Sequence, residues 1–420
     1  MNQSIFRIFL LFVCLARICA NPSPWDSDSP IKVFFSPKLP RRYRANILKV
    51  LEFYSNVTCV RYDLENVEYL KQASDLLPDS KSQSLFFYYH PASKCTSYVG
   101  KVNLENVNGI VKLGNGCGEF GLIAHEVGHS LGLDHTHSRP DRDQYVTVTC
   151  DDADCKPDRD YDIEDSVKAD FYGVPYDYGS IMHYGNYEPY LYTKDPGKQF
   201  TIGNRAWPSL TDIYAINKIH KCVGRCLTHV NPCQNGGHLN VNDCKTCVCP
   251  FGLAGPYCTE VAQGTKEGLS GTLLVSKEWQ TLDVRCGAGQ PSGHNVYDYF
   301  TCHWLLKADQ NKKIEIEFIK ITSCYSPFSC HNGGTELKLG DFHLGGYKFC
   351  CLNQLNELKE KTFISEGNIA LVDMDAPYKD QRVILRFREF SFCSISTLQS
   401  RKTASEESKT PDFIGDPLKV

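Results

Sequence analysis

Residues 125–135 read His-Glu-Val-Gly-His-Ser-Leu-Gly-Leu-Asp-His. On a helix, His125 and His129 stand four residues apart and point the same way, so both imidazoles can reach one cation. Glu126 follows the first of them, where its carboxylate can reach a water on that cation without binding the metal. Gly132 lets the chain break sharply after the helix and swing His135 back as a third ligand. Three neutral imidazoles with an open fourth position are what a catalytic zinc site requires, with one Zn2+ per chain. Zinc lowers the pKa of its water toward about 7 and polarises a carbonyl. Glu126 would act as general base toward that water and then pass the proton to a leaving amine. Peptide hydrolysis is the reaction class this chemistry serves. A bare His-Glu-x-x-His arises by chance on solvated helix faces, whereas the longer pattern, with Gly and a third His at fixed offsets, is far more specific.

Such a site needs a helix, expected from about Phe120 to Leu131, and a core to hold it. The chain has 420 residues, enough for a sizeable enzyme core and one or two small modules. Its 42% hydrophobic and 22% charged content is that of a soluble globular protein. The net charge of -4 offers no basic face, which argues against nucleic acid as a partner. Tyr43, Ile47, Leu48, Leu51 and Tyr54 recur at helical spacing, and Ser84 to Tyr89 reads as a strand, so the first region is expected to be α+β.

The first twenty residues read as a secretory signal: Arg7 precedes an apolar run from Ile8 to Leu15, too short to span a bilayer comfortably. Cleavage after Ala20 and cleavage after Ala16 both fit, and no later stretch reads as a membrane span. The 21 cysteines point to the same oxidising compartment, outside the cell. Cleavage after Ala20 leaves 19 of them, an odd number, whereas cleavage after Ala16 retains Cys19. Asn56-Val57-Thr58 is an N-glycosylation acceptor.

Cysteine density divides the chain. Residues 25–222 carry six cysteines, sparse enough for a hydrophobic core. Residues 223–259 carry six more, at 226, 233, 244, 247, 249 and 258, in a stretch too small to fold without disulfides. Over 268–393 short alternating runs, such as Lys313 to Phe318 and Arg382 to Phe387, argue for an all-β region. Residues 394–420 are rich in Ser, Lys and Glu and are expected to be disordered.

With Ser180-Ile181-Met182-His183-Tyr184 downstream, the extended zinc motif resembles that of the metzincins, and of the astacin family within them. Ser138-Arg139-Pro140-Asp141-Arg142-Asp143 and Leu113-Gly114-Asn115-Gly116-Cys117 carry the same resemblance. It implies a two-lobed catalytic domain over residues 25–222. It also implies that Met182 is the structural floor of the site and that Tyr184 is a further zinc ligand and a stabiliser of the oxyanion. Disulfides Cys59–Cys222 and Cys95–Cys117 follow from it, with Cys150 and Cys155 as an added local pair. Ser97 to Lys101 falls where the family has an edge strand that pairs with substrate. The second region resembles an EGF-like module, implying Cys226–Cys244, Cys233–Cys247 and Cys249–Cys258. The third resembles a CUB domain through Cys302-His303-Trp304 and its β-rich body. Cys286 and Cys302 count among its disulfide cysteines, with the pairing in that region left open. Ser270-Gly271 stands near where many CUB domains begin with a cysteine.

Two features depart from the family pattern. Thr136 stands where most astacins have a glutamate that engages the mature N-terminus, so a different anchor is expected there. Only four residues separate Ala20 from Trp25, too few for a propeptide whose aspartate occupies the zinc, so secretion without zymogen latency is expected. Two readings of function remain: an active endopeptidase acting on extracellular proteins or peptides, and a silent binding protein. In either, the EGF-like and CUB-like modules would bind matrix or protein ligands.

Overall fold

The computed structural model describes residues 24–75, 83–102, 106–149, 161–163, 171–186, 190–287, 300–322, 330–331, 333–357, 362–376 and 381–390. The signal segment, the Cys150 and Cys155 pair and the tail after Ser394 lie outside these residues.

The first region is built on a five-stranded sheet. In chain order its elements are β1 (Ile31–Phe35), helix α1 (Arg41–Val57), β2 (Tyr62–Tyr69), β3 (Ser84–Tyr89), β4 (Thr96–Ser97), β5 (Gly109–Leu113) and helix α2 (Phe120–Ser130). The sheet order is β2-β1-β3-β5-β4, parallel except for β4, which runs antiparallel along the edge. Strands β1 and β3 are nearly continuous apolar runs because both faces of a parallel sheet are covered. Leu85 and Phe87 face the main core, whereas Phe86 joins Phe34 and Val107 on the opposite face.

Helix α1 buries Tyr43, Ile47, Val50, Leu51 and Tyr54 along one stripe. Leu48, expected on that stripe, is only partly buried, and Val50 takes the central place. Two tyrosines from this face anchor later segments of the chain. The Tyr43 hydroxyl donates to Gly114 O at 3.1 Å, and the Tyr54 hydroxyl donates to Ala124 O at 2.9 Å within α2.

Beyond α2, strands β6 (Val146–Thr149) and β7 (Tyr190–Thr193) pair antiparallel. Val146, Tyr161, Tyr176, Leu191 and Ile202 form a separate small core beneath them. Helix α3 (Leu210–Ile219) opens with a capping box, Ser209 and Asp212 each bonding the other's backbone N–H.

The second region has two small hairpins, β8 (His238–Leu239) with β9 (Cys247–Val248) and β10 (Leu253–Ala254) with β11 (Glu260–Val261). Disulfides Cys226–Cys244, Cys233–Cys247 and Cys249–Cys258 hold it.

The third region is a sandwich of β12 (Ser270–Leu274), β13 (Gln280–Cys286), β14 (Phe300–Lys307), β15 (Lys313–Thr322), β16 (Gly334–Lys338), β17 (Tyr347–Phe349), β18 (Thr362–Ile364), β19 (Ile369–Ala376) and β20 (Gln381–Phe390). One sheet has the order β12-β14-β19-β16-β17 and the other β13-β20-β15-β18. The runs read as strands from their alternation lie in β15 and β20, which pair antiparallel. Val383, Leu385 and Phe387 point into the core between the sheets. Cys286 bonds Cys302, and Cys330 bonds Cys350. No helix among the described residues is long and apolar enough to cross a membrane.

Candidate metal centre

Helix α2 is buried along most of its length, which is why its sequence is apolar on every side except at the chemistry-bearing residues. It ends in a Schellman motif. Gly132, at φ 101°, donates to His129 O at 2.8 Å, and Leu133 N donates to Gly128 O at 3.0 Å. The left-handed turn that only glycine adopts cheaply thus redirects the chain so that His135 returns to the helix.

The ligand nitrogens of His125, His129 and His135 all lie within 4.8 Å of one another. His129 Nε2 and His135 Nε2 are 3.1 Å apart. Two of the rings are oriented from behind: His125 Nδ1 lies 2.8 Å from Ile181 O, and His129 Nδ1 lies 2.8 Å from Leu133 O. A carbonyl can only accept, so each Nδ1 carries the proton and each Nε2 offers a lone pair. Burial, followed by the neighbouring cationic groups, holds His125 and His135 well below the ordinary histidine range, and a metal ligand must be neutral.

Glu126 is buried, and its Oε2 has no hydrogen-bond partner among the described residues. Burial pushes its carboxyl up to about 8, with the Arg205 guanidinium pulling the other way. An orphaned, buried carboxylate oxygen on the residue that follows the first of three converging imidazoles is costly unless a cation and its water complete the group. The donor set, all imidazole nitrogen with one carboxylate held back, suits zinc.

The turn at 180–184 closes the site from below. Gly128 lacks the Cβ that would stand 3.0 Å from Met182 Sδ, so the methionine packs against α2 under the histidines. The Tyr184 ring lies 4.4 Å from His135 and stacks on His137 at 4.2 Å, with the planes 27° apart. Tyr184 N donates to His137 Nδ1 at 3.3 Å. Ser138 to Asp143 supports this arrangement: Arg139 pairs with Asp141 at 2.7 Å, and Arg142 donates to His137 O at 3.1 Å.

Three contributors escape a reading by motif. The guanidinium of Arg205 donates to Ile181 O at 2.9 Å and His183 O at 3.0 Å, tying two of the turn's carbonyls. Asp212 accepts from Ser180 Oγ at 2.6 Å and from Ile181 N at 2.9 Å. His137 stacks on Tyr184. Only Asp212 leaves a sequence signal, the Ser209-Leu-Thr-Asp212 capping box, which marks the helix start but not its link to the turn.

Thr136, at the departure from the family pattern, donates to Ser180 Oγ at 2.8 Å and so joins the Asp212 network. The first described residues are held elsewhere: Trp25 Nε1 donates to Ser130 O at 2.6 Å, at the end of α2. Cys59–Cys222 and Cys95–Cys117 are closed, the second tying the loop before α2 to the edge strand. That strand is short, since only Thr96 and Ser97 pair with β5, but Gly100 N then donates to His129 O at 2.8 Å. Asn56 is exposed on the last turn of α1.

Residues 19–221 match the astacin peptidase family. Zinc metalloproteinase nas-36 of Haemonchus contortus is 32% identical over 362 residues, covering 84% of this chain and 55% of that protein. Zinc metalloproteinase nas-27 of Caenorhabditis elegans is 30% identical over 367 residues, covering 83% and 81%. The hatching-enzyme zinc-protease HCE-1 of Oryzias latipes is 22% identical and covers 48% of this chain and 94% of that one at a TM-score of 0.35. The chain belongs to the astacin family of zinc metallopeptidases, and its three histidines are suited to that family's single zinc ion. It spans about half the length of the nas-36 relatives it matches.

Proposed function

We propose that this protein is a secreted zinc-dependent endopeptidase acting on extracellular proteins or peptides, with residues 25–222 as its catalytic domain. The observation that carries this reading is the buried, unpartnered Glu126 Oε2 beside the converging imidazoles. His125, His129 and His135 would hold the zinc, with Tyr184 as a further ligand. Bound zinc supplies Lewis acidity, acidifying a water toward pKa about 7 and polarising a carbonyl. Glu126 takes the proton from the attacking water and delivers it to the leaving amine. Tyr184 steadies the developing oxyanion. An extended substrate adds to the free edge of β4, where main-chain pairing holds it in register.

Residues 223–259 serve as an EGF-like module and 268–393 as a CUB-like domain; both bind or position protein ligands rather than catalyse. The density of disulfides supports export from the cell. Cleavage of an unbiased peptide library, abolished by a chelator and restored by zinc, is the expected result. If wild type and Glu126→Ala degrade the library equally poorly, the second reading, a silent binding protein, takes its place.

Asn56 carries an N-linked glycan, supported by its exposure at the end of α1. A mobility shift of the secreted chain on enzymatic deglycosylation, lost in Asn56→Gln, checks this. An unshifted wild-type band would mean that Asn56 is not glycosylated.

A further inference from the structure

The loop that leads into the 180–184 turn is held by the C-terminal sandwich as well as by the first region. Asp177 is buried and spends both carboxylate oxygens on this junction. Its Oδ1 accepts from Gly179 N and from Gly345 N, each at 2.8 Å, and its Oδ2 accepts from the Thr211 hydroxyl at 2.7 Å. Gly345 belongs to the loop that enters β17, so one side chain joins the sandwich, the turn and the start of α3. The backbones touch here. A Cβ on Gly345 would stand 2.5 Å from Gly179 Cα, and one on Gly179 would stand 2.6 Å from Gly345 Cα. Only a glycine pair allows that approach.

The surrounding contacts make the junction rigid. Lys198 Nζ donates to Gly345 O at 2.7 Å and lies 4.1 Å from the Tyr347 ring centroid. The Thr201 hydroxyl donates to Gly346 O at 2.8 Å and accepts from Lys348 N at 3.2 Å. Phe200, next to it in the chain, is buried in the sandwich core with Leu337 and Phe349 rather than in the first region. A tethered module that merely swung on a linker would not bury its neighbour's phenylalanine or share a buried carboxylate.

We propose that the C-terminal sandwich braces the metal site, with Asp177 as the positioning residue that transmits its hold to Met182 and Tyr184. Ser180 N donates to Asp177 O at 3.2 Å, and Met182 and Tyr184 follow in the same turn, so a shift at Gly345 is passed along a short, fully bonded path. The effect on turnover rests on the endopeptidase reading above; the hold on the turn does not.

The test uses the full chain carrying Gly345→Ala, a change outside the catalytic region that forces the backbones apart. Hydrogen exchange of residues 180–184 is expected to rise about tenfold as the turn loosens. With zinc bound, kcat is expected to fall roughly tenfold while KM stays within about twofold, because the oxyanion contact is misplaced and the substrate edge is not. Thr201→Val, which removes both hydroxyl bonds to the β17 hairpin without changing size, shifts both readouts the same way and serves if Gly345→Ala does not fold. Asp177→Ala reproduces the loss, and Asp177→Asn restores it, since the amide oxygen still accepts and its NH2 can donate to Thr211. Faster exchange at 342–349 with unchanged exchange at 180–184 would overturn the brace. A wild type without proteolytic activity but with the exchange coupling intact would sink the endopeptidase reading and leave the brace standing.

Discussion

Glu126→Ala is expected to lower kcat by about a thousandfold while zinc stays bound and the fold is kept. General acid–base catalysis contributes about 10²–10⁴, and here one carboxylate serves both the proton uptake and its delivery. The carboxylate is not among the converging ligand atoms, so its removal leaves the three imidazole nitrogens in place. Nor does Oε2 hold any described partner that truncation would strand, so little stability is lost with it. With the metal removed from both proteins, relief of a buried carboxylate's desolvation works in the same direction, and the variant should melt no lower than wild type. Single-turnover cleavage of a library-derived peptide, together with metal analysis of the dialysed protein, separates the outcomes. Retained zinc with lost turnover assigns the proton shuttle to Glu126. Lost zinc would make Glu126 part of the metal cage, and undiminished turnover would remove it from the chemistry.

The three converging histidines are legible in the sequence because their spacing is local. His125 and His129 share a helix face, and His135 follows one glycine-directed break, so the constellation needs no knowledge of the rest of the fold. Strands β15 and β20 are equally plain, since a half-buried strand writes its alternation into the chain. Whatever depends on distant partners escapes. Arg205 ties carbonyls more than twenty residues away, and an arginine in a loop has no pattern that announces such a role. Asp177 sits between a turn and a glycine 168 residues later. Periodicity alone puts Leu48 in the buried stripe of α1, because a 3.6-residue repeat defines a face only to within a residue or so; packing against the sheet decides for Val50. The resemblance puts an edge strand at Ser97 to Lys101, yet of that stretch only Ser97, with Thr96 before it, pairs with β5, after which Gly100, at φ 74°, turns toward His129.

Asp212 gives the second large effect, this time on stability. Asp212→Ala is expected to cost about 4 kcal/mol, because Ser180 Oγ, Ile181 N and Ser209 N lose a shared acceptor inside the core. The turn beneath the zinc would loosen with it, so metal affinity should fall as well. Asp212→Asn adds a dependence on pH with a defined sign. Burial raises the Asp212 carboxyl to about 6, outweighing the hydrogen bonds that favour its charge, against about 3.9 in an unfolded chain. A raised carboxyl pKa contributes stability that is fully present below about pH 4 and is lost as pH rises through about 6. That difference corresponds to about 3 kcal/mol, so wild type should lose that much relative to Asp212→Asn between about pH 4 and 7. The histidine ligands titrate in both proteins and cancel from the difference, which is why the comparison is made between the two proteins rather than on wild type alone. Denaturant unfolding of each at several pH values, with the metal removed, measures it. A gap that stays constant, or that widens in favour of wild type as pH rises, would mean that the hydrogen bonds from Ser180, Ile181 and Ser209 outweigh burial and keep Asp212 ionised throughout.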